Sequence, residues 1–67
     1  MIENRVSLVM GAKRMEKRDI TKITNIDRHT LTKIYKGEIA SIKLDTLNQL
    51  CYALDCTPND LFRYIPD

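Results

Sequence analysis

Asp19-Ile-Thr-Lys-Ile-Thr-Asn-Ile-Asp-Arg-His-Thr-Leu-Thr-Lys-Ile-Tyr-Lys-Gly37 decides the reading of this chain. It reads as two short helices joined by a tight turn. In the first, over residues 17–24, Ile20 and Ile23 face inward while Lys17, Arg18 and Lys22 face out. Asn25 stands at the turn, where its tolerance of left-handed backbone suits a tight stop. Ile26 is the apolar plug of the turn. Asp27 offers its carboxylate to the free amides of the next helix. That helix, over residues 28–36, sets Leu31 and Ile34 on one side. His29, Thr32, Lys33 and Lys36 gather on the other, with Arg28 at the edge, Thr30 beside the buried stripe and Tyr35 on the other flank. Gly37 supplies the left-handed residue that ends it.

Working outward, residues 3–14 read as a first helix with Val6, Val9, Met10 and Lys13 on one stripe and Leu8 and Ala12 flanking it. Gly11 interrupts the run with a residue of poor helix propensity. Met15 sits just before Glu16 and the next helix, in the position of a hydrophobic staple. Residues 38–43 have no period and read as a loop. Residues 44–54 return to helical spacing, with Leu44, Leu47, Leu50, Cys51 and Leu54 inward and Asp45 favoured near the positive end of the helix dipole. Thr57-Pro-Asn-Asp60 is a helix start: Thr57 caps, Pro58 takes the first helical position and Asp60 replaces the usual Glu of the capping box. Leu61, Phe62 and Tyr64 give this short fifth helix its packing residues, and Pro66 stops it. The expected architecture is all-α, five helices in one compact domain over residues 1–67.

Sixty-seven residues hold one small core, which a second copy would help to stabilise. The net charge of +2 hides an asymmetry. Residues 1–36 carry nine basic and four acidic side chains; residues 37–67 carry two basic and five acidic ones. The first half is suited to face a polyanion while the second turns away. The plainer reading is a solvated surface with chance clustering.

The two cysteines, Cys51 and Cys56, make no zinc pattern, since a structural site needs four ligands and only His29 remains. They read as reduced thiols in or near the core of a cytoplasmic protein. No stretch has the length of a signal peptide or a membrane span. Catalysis is not expected. His29 near Asp27 and Thr30 has no Ser or Cys at a spacing that completes a nucleophilic site, and so small a domain lacks a sizeable substrate pocket. No metal, cofactor or small-molecule substrate is implied. Tyr35, Tyr52, Tyr64 and Phe62 are not interleaved with Lys and Arg, as stacking platforms for single strands require.

What the second and third helices can do is enter the major groove of double-stranded DNA. Arg28, His29, Thr32 and Lys33 form the expected base-reading face. Arg28 can place two parallel donors on guanine O6 and N7; His29 can bond a base edge or a phosphate. Thr32 offers a hydroxyl and a methyl, and Lys33 reaches a guanine or a backbone oxygen. Lys17, Arg18, Thr30 and Lys36 are expected at phosphates, which position a protein without reading sequence.

Several stretches together resemble the λ repressor/Cro-like, or Cro/C1-type, helix-turn-helix family. Ile20-x-x-Ile23-Thr24-Asn25-Ile26-Asp27 looks like that family's second helix, turn and cap. Arg28-His29-Thr30-Leu31-x-x-Ile34-x-x-Gly37 looks like its recognition helix and exit. Thr46-Leu47-x-x-Leu50-Cys51-x-Ala53-Leu54, followed by Asp55-Cys56-Thr57-Pro58-x-Asp60-Leu61, looks like its fourth and fifth helices. Thr21 departs from the family's usual Ala, Asn25 from its turn Gly, and Glu16 from its common Ser, Thr or Gln. The resemblance implies a sequence-specific transcriptional regulator, a repressor, with Ser41 and Lys43 touching the DNA backbone from the loop after the recognition helix. A homodimer on two half-sites is expected, with Tyr52, Phe62, Tyr64 and Ile65 as its candidate surface. The alternative is a protein-interaction module on the same frame, such as an antitoxin-like partner or an adaptor.

Overall fold

A computed structural model describes residues 1–67. Along the chain come strand β1 (Ile2–Asn4), helices α1 (Val6–Ala12), α2 (Lys17–Ile23), α3 (Arg28–Lys36), α4 (Leu44–Leu54) and α5 (Pro58–Leu61), and strand β2 (Phe62–Tyr64). The five expected helices are present. The fold is nevertheless not purely helical, because its two ends pair as an antiparallel ribbon: Ile2 opposes Tyr64, Glu3 opposes Arg63 and Asn4 opposes Phe62.

The ribbon explains two corrections. The first helix starts at Val6 rather than at residue 3, because Asn4 interrupts the backbone pattern. Its side-chain oxygen accepts the Val6 N–H at 3.0 Å, and its amide donates to the Ile34 carbonyl at 3.0 Å. One side chain thus opens α1 and ties β1 to the last turn of α3. The fifth helix ends at Leu61, and Phe62 turns extended at φ −135° and ψ 125°. Phe62 and Tyr64, expected to be helical, are strand residues. A partner strand 60 residues away satisfies their neighbours' backbone groups, and aromatic side chains suit a pleated surface.

Nine apolar side chains make the core: Val6, Met10, Ile20, Ile26, Leu31, Ile34, Leu50, Leu54 and Leu61. Every helix contributes to it. No buried side-chain nitrogen or oxygen lacks a partner, so no buried side chain carries an uncompensated polar cost. Two expected core residues lie outside it. Ile23, the last residue of α2, is 51% exposed, and Leu44, the first residue of α4, is 81% exposed. Each has helical spacing to a buried or half-buried neighbour, but each sits where its helix has run past the edge of the core. Leu8, on a flank of α1, is exposed as well.

Helix ends follow the sequence closely where caps are concerned. Asp27 accepts the Thr30 N–H at 2.7 Å. Gly37 is left-handed at φ 75°, and Glu38 N–H closes back on Lys33 at 2.9 Å. The Thr57 N–H donates to Asp60 at 2.9 Å, as a capping box requires. That bond, with the Thr57 hydroxyl, holds the Asp60 carboxyl below its usual value. Arg14, with no signal in the sequence, is left-handed at φ 55° and ends α1 two residues before the expected stop, at Ala12.

Candidate nucleic-acid interface

The α2–α3 turn sets the angle at which α3 leaves the body. The expected left-handed Asn25 is not found; the positive-φ residues are Arg14, Asp55 and Gly37. Instead the chain is extended at Thr24, φ −131° and ψ 171°. The Thr24 hydroxyl donates to the Ile20 carbonyl at 2.7 Å and accepts the Ile26 N–H at 3.3 Å. The Asn25 N–H is taken by the side-chain oxygen of Gln49 on α4, at 2.6 Å. Gln49 in turn donates to Asp45 at 3.0 Å, one helical turn earlier. Sequence reasoning missed Gln49. Its trace was an Asp45-x-x-x-Gln49 pair on one helix face together with a turn that lacks glycine.

With Leu31 and Ile34 buried, the outward direction of α3 follows from its turn of about 100° per residue. His29, Thr32, Lys33 and Lys36 point within about 50° of that direction. His29, Lys33 and Lys36 are exposed and Thr32 is half-buried. Asp27 lies at the foot of this ridge. The Thr30 N–H and hydroxyl, with help from His29, hold its carboxyl below the usual value. It is therefore ionised at neutral pH and stabilises the positive end of α3.

The remaining candidates fall on two flanks. On one, Arg28 lines a cleft with Lys17, Arg18 and Tyr35. The Lys17 ammonium lies 4.7 Å from the Tyr35 ring centroid, a cation–π contact that fixes where the charge stands. Arg18 pairs with Glu16 at 2.9 Å, both well exposed. Glu16 also opens α2, its N–H donating to Asp19 at 2.8 Å. On the other flank, Ser41 and Lys43 line a groove with Thr30 and Asn25. The Thr30 hydroxyl donates to Asp27 at 3.1 Å, so giving its proton to a phosphate means releasing that bond. The structure therefore places cations and hydroxyls on both sides of a polar ridge. It does not bring all the sequence candidates to one point.

Tyr52 and Tyr64 are 75% and 69% exposed; Ile65 is exposed and Phe62 half-buried. Phe62 packs on the core. Tyr64 and Ile65 belong to the ribbon end and its exit, whereas Tyr52 projects from α4. No helix is long and apolar enough to cross a membrane.

The family profile described as the Cro/C1-type HTH DNA-binding domain matches residues 5–67. A protein of Bacillus subtilis (strain 168) named "Uncharacterized HTH-type transcriptional regulator YozG" is 26% identical over 62 residues, covering 92% of this chain and 74% of its own length.

Proposed function

Because the chain belongs to the Cro/C1-type helix-turn-helix DNA-binding family, we propose that it is a sequence-specific transcriptional regulator, acting as a repressor, whose helix α3 enters the major groove. The observation that supports this most is the arrangement around α3: an exposed polar ridge with cationic or hydroxyl side chains on both flanks. A major groove admits one helix and is bounded by two phosphate backbones. A ridge between two flanking clusters matches that cross-section.

In this reading His29, Thr32 and Lys33 meet base edges, and Arg28 reaches a guanine from the first position of α3. Lys17 and Arg18 serve one backbone; Thr30, Ser41 and Lys43 serve the other; Lys36 meets a phosphate from the last turn. Two copies bind two half-sites, since one unit makes few base contacts. The exposed Tyr52, Tyr64 and Ile65, with Phe62, are the surface assigned to the second copy.

The test is duplex binding across a salt series. Phosphate neutralisation alone gives measurable affinity at low salt and a steep loss as salt rises. Negligible affinity at low salt contradicts the proposal. A stoichiometric protein partner without a DNA footprint points instead to an interaction module.

A further inference from the structure

We infer that Cys51 and Cys56 form a dithiol modification site that closes to an intrachain disulfide when the protein meets a hydroperoxide. The pairing comes from how α4 ends. Asp55 is left-handed, at φ 50° and ψ 57°. Two crossed backbone bonds accompany it: Cys56 N–H to the Cys51 carbonyl at 3.1 Å, and Asp55 N–H to the Tyr52 carbonyl at 3.4 Å. This is the Schellman closure, which sets the residue after the left-handed one against the residue five positions before it. The two positions usually filled by apolar side chains are filled here by two thiols.

The backbone brings the pair close to the range of a bond. With standard bond lengths, an N···O separation of 3.1 Å holds the two α-carbons within about 7 Å, and disulfides span about 4.4–6.8 Å. Both thiols are free and half-buried. Burial pushes the Cys56 thiol up, and the neighbouring Cys51 adds to the rise. Cys56 opens on a surface cleft that also exposes Lys13, Asn59 and Arg63, which gives a small oxidant access. Neither sulfur lies on α3 or its flanks, so this site stands or falls apart from DNA binding.

In the reaction one thiolate attacks an oxygen of hydrogen peroxide. The O–O bond breaks, and the expelled hydroxide takes a proton and leaves as water. The other sulfur then attacks the sulfenic sulfur; the S–O bond breaks, and its oxygen leaves with the thiol proton as a second water. Two electrons pass from the sulfur pair to the peroxide, and one S–S bond forms.

The experiment treats the full, reduced chain with hydrogen peroxide and follows intact mass, free thiols and peptide links. The expected product is a monomer lighter by two hydrogens, with both thiols lost together, a Cys51–Cys56 peptide link, and recovery on reduction. C51S and C56S cannot close, and each gains oxygen or joins two chains. Three results overturn the inference: independent oxygen adducts on both cysteines of the unaltered chain, chain-to-chain disulfides in it, or survival of both thiols under peroxide that oxidises the same chain in denaturant.

Discussion

The side-chain oxygen of Gln49 lies 2.6 Å from the backbone nitrogen of Asn25, so a residue of α4 holds the turn between α2 and α3. Many turns of this kind depend on a glycine that bends the chain unaided. Here the bend is held by a neighbour, and Asp45 fixes that neighbour in place. The direction in which α3 projects therefore depends on a helix outside the α2–α3 pair.

Gln49→Ala removes two hydrogen bonds, from the Asn25 N–H and to Asp45, and is expected to cost about 1–3 kcal/mol of folding stability. It is also expected to weaken specific DNA binding more than non-specific binding. Denaturant titration and paired binding assays on cognate and random duplexes check both. Equal loss on the two duplexes removes Gln49 from any role in aiming α3.

Two helix caps contribute to the acid limb of stability. Asp27 and Asp60 are both held below their ordinary value of 3.8 by hydrogen bonds from Thr30 and Thr57. A carboxyl with a depressed folded value binds protons less readily than it does unfolded. Its contribution is therefore complete above 3.8 and is lost as pH falls through the lower folded value. Thermal melts are expected to fall on acidification in that window. Asp27→Asn keeps an acceptor for the Thr30 N–H but no longer titrates, so it flattens part of the fall. An unchanged acid profile in that variant contradicts the assignment.

These caps were also the most legible part of the sequence. Asp27, Gly37 and Thr57-Pro58 act within a turn of themselves, and a local signal needs no knowledge of the rest of the chain. The ribbon was hidden for the opposite reason. Ile2 and Tyr64 define each other across 62 residues, and three residues are too few for alternation to show. Ile23 and Leu44 were misassigned because periodicity gives the direction of a side chain, not how far the core extends beneath it. The exposure of His29, Lys33 and Lys36 followed directly from the burial of Leu31 and Ile34. The pairing of Arg18 with Glu16 did not, since it depends on rotamers at a helix start.

That pairing has a measurable consequence. Glu16→Gln removes a carboxylate from the flank and frees the Arg18 guanidinium. Non-specific affinity for duplex DNA at low salt is expected to rise, and the salt dependence to steepen by up to about one counterion. Unchanged or weakened binding places Arg18 away from phosphate.

Leu50 is fully buried among residues from several helices. Leu50→Ala is expected to cost about 2–5 kcal/mol. A core this small supplies about 3–5 kcal/mol in total, so the variant is expected to be largely unfolded at room temperature by circular dichroism. A cooperative melt close to that of the unaltered protein contradicts a single shared core.

Arg28 separates two roles by one substitution. If it reads a guanine, Arg28→Ala costs about 1–3 kcal/mol on duplexes carrying that base and relaxes selection at one position. A uniform loss across all duplexes moves Arg28 to the phosphate-binding flank with Lys17 and Arg18.

The most direct measurement is selection of bound duplexes from a random pool, run with the unaltered chain and with a variant carrying both His29→Ala and Lys33→Ala. The expected result is a recurring sequence for the first and a relaxed one for the second, with the variant still folded and still binding DNA at low salt. The same recurring sequence from both proteins shows that the outer ridge of α3 does not face the bases.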